Sequence, residues 1–185
     1  MRILGIPGSL RAGSYNRALL RATEELAPPG WSFETFEIRD IPHYDGDVEA
    51  EGDPEAVTAF KDAIRRADAL VIATPEYNRG VPGVLKNAID WASRPPLGSP
   101  LAGKPVALMG ASTGTGGTAR AQEQLREALA FPRACVLEEP AVLVPEAYMK
   151  FSEGRLVDEA TRSAIRRQLE ALAAEAGGAD ALRAA

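Results

Sequence analysis

MRILGIPGSLRAGSYN, residues 1–16, is a short apolar run that gives way at once to glycine, serine and asparagine. The run from Arg2 to Pro7, bounded by turn-forming residues, has the length of a buried strand. It is too short for the apolar core of a secretory leader and far short of the roughly 20 residues of a spanning helix. The expectation is a cytoplasmic chain with no membrane partner. Beyond the glycines, Leu19, Leu20, Ala22 and Leu26 share one face of a helix over Tyr15 to Leu26, which Pro28-Pro29-Gly30 stops. Strand, glycine turn and amphipathic helix in succession open a βαβ unit, and with it a parallel sheet.

The same succession recurs downstream. Trp31 to Ile38 alternates through Phe33, Phe36 and Ile38 and reads as a strand near the sheet edge. Asp53-Pro54 predicts an N-cap followed by proline at the first helical position, with Val57, Phe60, Ile64 and Ala67 at helical spacing behind it. Ala69 to Ala73 is a continuous apolar run, as in a central parallel strand covered on both faces. A helix over Val81 to Ala92, a rigid loop from Arg94 to Pro100, a strand over Pro105 to Gly110 and a helix from about Gly117 to Ala130 follow. Ala134 to Val144 supplies the last strand, interrupted by Glu138-Glu139-Pro140, and Asp158 to Ala174 a final helix packed through Ile165, Leu169 and Leu172. Residues 1–175 are thus expected to form one domain, and residues 176–185, which lack a packing pattern, a flexible tail.

Five strands and five helices in this order predict a doubly wound α/β fold. Its five-stranded parallel sheet has the order 2-1-3-4-5, with helices on both faces. Ligands in such sheets bind beyond the carboxyl ends of the strands, where the strand order reverses.

The composition narrows the ligand. A chain of 185 residues, 45% apolar, can bury a complete core, and its net charge of -5 argues against a nucleic-acid partner and for small molecules. Cys135 is the single cysteine and lies in an apolar stretch, which predicts a buried, inert thiol and excludes an intrachain disulfide. One histidine, His43, and no Cys/His cluster leave no pattern for a metal site.

Three loops fall at the ligand end. In the first, Gly8 to Asn16, glycines let backbone N–H groups approach an anion, Ser9, Ser14 and Asn16 add side-chain donors, and Arg11 adds a charged fork. The alternative is an ordinary N-capped turn. A triphosphate-binding P-loop is excluded, because Gly8 to Asn16 has no lysine. The second, Thr74 to Pro82, is stiffened by proline at both ends and suits the edge of a planar heterocycle, with Tyr77 flanking the ring. Glu76 there is either a carboxylate satisfied by backbone N–H groups or a catalytic acid, the first being favoured; Lys86, Asn87, Asp90 and Trp91 read as capping or packing residues. In the third, Gly110 to Arg120, Gly114 to Ala119 formally matches a dinucleotide fingerprint with Glu138 or Glu139 as its acid. That fingerprint belongs to a first βα turn, so a wall admitting one face of a flat ligand is the simpler use.

Taken together, Gly8-Ser9-Leu10-Arg11 with Gly13, Ser14 and Asn16, Pro75-Glu76-Tyr77-Asn78 with Pro82 and Leu85-Lys86-Asn87, and Ser112 to Gly117 with Arg120 resemble the NADPH-dependent FMN reductase family. The similarity spans roughly residues 1 to 170 and extends to the family's quinone, chromate and azo reductases. It implies a flavodoxin-like sheet, FMN as cofactor, NADPH or NADH as electron donor, and ping-pong reduction of flavins or quinones as small-molecule acceptors. The implied cofactor-binding residues are Ser9, Leu10, Arg11, Ser14, Tyr15, Asn16, Pro75, Glu76, Tyr77, Asn78, Ser112, Thr113 and Gly114, with FMN phosphate at the first loop. No side chain is implied as catalytic, because the flavin carries the chemistry. A homodimer or homotetramer with flavin sites near subunit interfaces is also implied. Two other readings stay open at this point: a flavodoxin-type electron carrier that does not turn over NAD(P)H, and a non-catalytic flavin-binding module.

Overall fold

The computed structural model describes residues 1–95 and 98–184. Pro96 and Leu97 of the expected rigid loop, and Ala185 of the expected tail, lie outside the described residues. Strands β1 (Arg2–Pro7), β2 (Ser32–Thr35), β3 (Ala69–Ala73) and β4 (Pro105–Ala111) form a parallel sheet in the order β2-β1-β3-β4. Beyond β4 the fifth place is filled in two pieces, β5 (Cys135–Val136) opposite Pro105 and Val106, and β6 (Val142–Val144) opposite Met109 to Ala111. The break falls at Glu138-Glu139-Pro140, as the proline requires.

Successive side chains of a strand point to opposite faces, so the apolar runs of β1, β3 and β4 feed two cores. Leu4, Ile6, Leu70, Ile72 and Leu108 pack against α3 (Glu55–Arg66), α4 (Gly83–Ala92) and α5 (Ala119–Ala130). Ile3, Val71 and Met109 pack against α1 (Tyr15–Leu26) and α7 (Glu159–Ala184). Each fully buried Val, Leu, Ile or Phe stabilises the fold by about 1.5–3 kcal/mol relative to exposure. Among the described residues no helix is long and apolar enough to cross a membrane.

The elements differ from the sequence expectation in five places. The edge strand stops at Thr35, because β2 has β1 alone as a partner and their ladder closes with Phe36 N–H on Gly5 O. Ile38 instead opens a 3-10 turn (Ile38–Asp40) and drops into the α3/α4 core. Asp53 is not an N-cap. Both of its carboxylate oxygens lie 2.7 Å from Lys61 Nζ, pairing a lysine that is only 1% exposed, and Pro54 takes the cap position without a side-chain bond.

Cys135 is half-buried rather than buried, since β5 lies at the sheet edge. The final helix runs to Ala184, through Gly177-Gly178, where a tail was expected. Asp158 caps it by accepting from Thr161 N–H and Thr161 Oγ1, bonds that hold its carboxyl below the usual range. Once nucleated, a helix gains a bond per added residue, so glycine at about 1 kcal/mol weakens the run without ending it. Three short helical or hairpin pieces carry no strong periodic signal. They are α2 (Gly46–Glu51), α6 (Ala147–Lys150) and the antiparallel pair β7 (Phe151–Ser152) and β8 (Arg155–Leu156).

Candidate functional site

The first loop leaves β1 with Gly8 N–H on Ala73 O at 2.8 Å, which joins it to β3. Ser14 is the N-cap of α1, its Oγ accepting Asn16 N–H at 3.2 Å, while Ser9 Oγ accepts Arg11 N–H at 3.3 Å. Both serines are buried, and among the described residues no protein acceptor takes either hydroxyl proton. The N–H groups of Leu10, Ala12 and Gly13 are equally without a protein acceptor among the described residues. Arg11 is exposed beside them, with no ion-pair partner among the described residues. A helix N-terminus, free backbone donors, two buried hydroxyls and a guanidinium form a site for an acceptor-rich dianion.

Asn16 does a different job from a loop-edge donor. Its Nδ2 donates to Ala111 O at 2.9 Å and its Oδ1 accepts Ala111 N–H at 2.8 Å, tying the first loop to the end of β4. One amide hydrogen remains for a ligand. From the other side, Arg39 Nη2 donates to Leu10 O at 2.7 Å.

The second loop contains a tight turn in which Tyr77 and Gly80 exchange backbone hydrogen bonds of 3.1 and 3.0 Å. Asn78 and Arg79 between them have φ of 51° and 63°, the positive pair of a type I′ hairpin. Glu76 Oε2 accepts the N–H groups of Arg120 and Ala121 at 3.0 and 3.2 Å. It therefore caps α5 from another loop, where the helix dipole favours a carboxylate and no side chain of α5's own N-cap residue serves. That is the satisfied-carboxylate reading of Glu76.

Lys86 pairs with Asp90 at 2.5 Å, while Asn87 bonds Tyr44 N–H and Pro42 O, and Trp91 Nε1 bonds Pro42 O, all at 2.8–2.9 Å. Asn87 and Trp91 thereby hold the segment that follows Arg39, while the Lys86–Asp90 pair stays within α4.

The third loop is set by Gly110. A Cβ there would lie 2.0 Å from Thr118 Oγ1 and 2.3 Å from Thr74 O, so only glycine lets β4 pass this close to its neighbours. Ser112 then bonds Val144 O through its N–H, Ala147 N–H through its carbonyl, and Gly114 N–H through Oγ.

The three loops enclose a cleft of about 180 Å³ lined by Ser9, Arg11, Ser14, Tyr15, Asn16, Pro75, Glu76, Tyr77, Ala111, Ser112 and Thr113. Of the expected residues, Leu10, Asn78 and Gly114 do not line it: Leu10 leans on the α3/α4 core, Asn78 forms the turn, and Gly114 closes onto Ser112. Ala111 was not anticipated. Nor were Arg39 and Gln124, the second of which bonds Arg79 O and Val81 N–H; they reach the loops from far along the chain and leave no local signal.

A larger hollow of about 280 Å³ lies at the opposite end of the strands, but its arginines, Arg2 and Arg66, already pair with Asp68 and Glu34. The donor-rich cleft is the better candidate.

A parallel sheet of this order with an anion-seeking cleft at its point of reversal defines a flavodoxin-like protein. The chain belongs to the NADPH-dependent FMN reductase family, whose model matches residues 1–149. An NAD(P)H-dependent FMN reductase of Pseudomonas aeruginosa is 53% identical over 173 residues, covering 93% of each chain. A quinone reductase of Escherichia coli K12 is 42% identical over 175 residues, covering 92% of this chain and 93% of its own. The solved structure of a flavoenzyme NAD(P)H:acceptor oxidoreductase from Paracoccus denitrificans superposes with a TM-score of 0.85. It is 35% identical, with 96% of this chain and 97% of that one covered.

Proposed function

We propose that this chain is an FMN-dependent NAD(P)H oxidoreductase that reduces quinones or flavins, with azo compounds and chromate as further candidate acceptors. The observation that carries the reading is the pair of buried hydroxyls, Ser9 and Ser14, whose protons lack a protein acceptor among the described residues, beside an Arg11 with no ion-pair partner among them. These groups fit the phosphate of FMN, with the remaining amide hydrogen of Asn16. Pro75, Glu76 and Tyr77 would border the isoalloxazine, and Ser112 and Thr113 its other side. The activities named for the relatives agree with this reading.

When bound, FMN supplies hydride acceptance and electron delivery. The protein's part is to bind and orient. The braced loops hold the donors still, and donor and acceptor use the same open side of the cleft in turn, a ping-pong order. Glu76, fixed on α5, is not placed as a proton donor. A flavodoxin-type carrier fits less well, because exposed Arg11, Arg79 and Arg120 surround a site where such a carrier needs an acidic rim.

Purified protein is expected to be yellow and to bleach when NADPH is added without oxygen. Yellow protein that stays oxidised would favour the carrier or the non-catalytic module. Arg11→Ala is expected to loosen FMN by about 1.5–3 kcal/mol, the magnitude of a hydrogen bond to a charged group. Equal flavin affinity in the two proteins would reject that role.

We also place the protein in the cytoplasm as a homodimer or homotetramer. Leu143 in β6 and Tyr148 and Met149 in α6 are exposed apolar residues near the third loop, and an oligomer would cover them. A monomeric mass by light scattering would remove the oligomer.

A further inference from the structure

Beside the cleft an exposed arginine occupies a backbone state that arginine avoids. Arg79 has φ 63° and follows Asn78 at φ 51°. Asparagine tolerates the left-handed region, and the second place in such a turn favours glycine. An arginine there persists only where its surroundings hold it.

Gln124, from α5, does so. Its Nε2 donates to Arg79 O at 3.4 Å and its Oε1 accepts Val81 N–H at 3.1 Å, which grips the chain on both sides of Gly80. A Cβ on Gly80 would come to 3.0 Å from Gln124 Oε1, so the glycine makes room for the grip. Glu76 ties the near end of the same loop to α5 and is thereby directed at backbone N–H groups. The Arg79 guanidinium is left without an ion-pair partner among the described residues, although Lys86 a few residues on is paired.

We propose that this turn is a built anion anchor, in which Gln124 holds the shape and Arg79 takes a phosphate of the nicotinamide dinucleotide. The inference rests on the NAD(P)H oxidoreductase reading. Arg79 does not line the cleft, so Arg11 and the serines serve the flavin phosphate and Arg79 faces a ligand arriving from outside. A guanidinium matches phosphate oxygens with a planar fork of donors. Gln124 is a positioning residue, since it acts on the turn and not on the ligand.

The test uses holoenzyme titrated with NADP⁺ and NAD⁺, read by the visible spectrum of bound flavin, beside steady-state assays with NADPH and NADH. Arg79→Gly is expected to weaken NADP⁺ binding and raise the KM for NADPH about tenfold or more, the scale of a charge-assisted bond. FMN affinity stays as in wild type, and the Tm holds or rises, because glycine suits the left-handed turn. A residue kept only for structure would lower the Tm and leave KM alone. Arg79→Lys restores part of the affinity through its charge, and Gln124→Leu raises KM in the same direction.

Loss confined to NADPH supports a 2′-phosphate contact, and equal loss for NADH supports a pyrophosphate contact. Unchanged affinity for both dinucleotides in Arg79→Gly overturns the anchor. Wild-type protein that binds NADP⁺ but oxidises neither dinucleotide refutes the oxidoreductase reading, and the anchor stands if Arg79→Gly loses that binding. Wild-type protein that binds neither overturns both.

Discussion

Replacing Asn16 by alanine is expected to lower stability by about 2 to 5 kcal/mol and to weaken FMN binding at the same time. The side chain is 2% exposed and makes two hydrogen bonds of 2.8–2.9 Å to the main chain of Ala111. Alanine would leave the N–H and C=O of Ala111 without their side-chain partner, and each buried group so orphaned costs about 1–3 kcal/mol. For a domain of this size that is a fall in Tm of roughly 10 °C. Asn16→Asp separates geometry from packing: the carboxylate still accepts from Ala111 N–H but repels Ala111 O, so it should fare little better. Thermal melts with and without FMN measure both effects, and an Asn16→Ala protein melting with the wild type would show that the brace is unimportant.

Gly110→Ala is expected to be the other severe change. Its methyl group would collide with Thr118 Oγ1 at 2.0 Å and with the Thr74 carbonyl at 2.3 Å. Overpacking of this kind costs about 3 kcal/mol, and the backbone member of the clash has no rotamer by which to move aside. Because Gly110 leads directly to Ala111 and Ser112, the strain would displace one wall of the cleft and reduce flavin retention. Adding Thr118→Gly removes the side-chain obstacle and not the carbonyl, so rescue should be partial. Full recovery in the double variant would mean that Thr118 alone makes the glycine necessary.

The main strands were legible because β1, β3 and β4 are apolar runs covered on both faces, a signal that depends only on local composition. The first loop was legible for a similar reason, with glycine, serine and the helix start adjacent in sequence. What stayed hidden depends on partners remote in the chain. Asp53 has the composition of a cap, yet Lys61 folds back under it and takes both oxygens. Asn16 has the composition of a ligand donor, yet Ala111, ninety-five residues away, takes its amide. Ile38 continues an alternating pattern, but the ladder ends before it and the α3/α4 core attracts it. Gln124 lies on a helix face that carries no sign of the turn it reaches.

Helices α1, α4 and α5 begin at the ligand end of the sheet, and α1 and α5 bring partial positive charge to opposite ends of the cleft. Glu76 already brings a carboxylate to α5 from within the protein, whereas α1 is capped only by the neutral hydroxyl of Ser14. The cleft is therefore polarised along its length. A flat molecule with a single anionic tail has one favourable way to lie in it, tail toward α1 and ring toward the turn at Tyr77, and the reversed pose would set a dianion against a carboxylate.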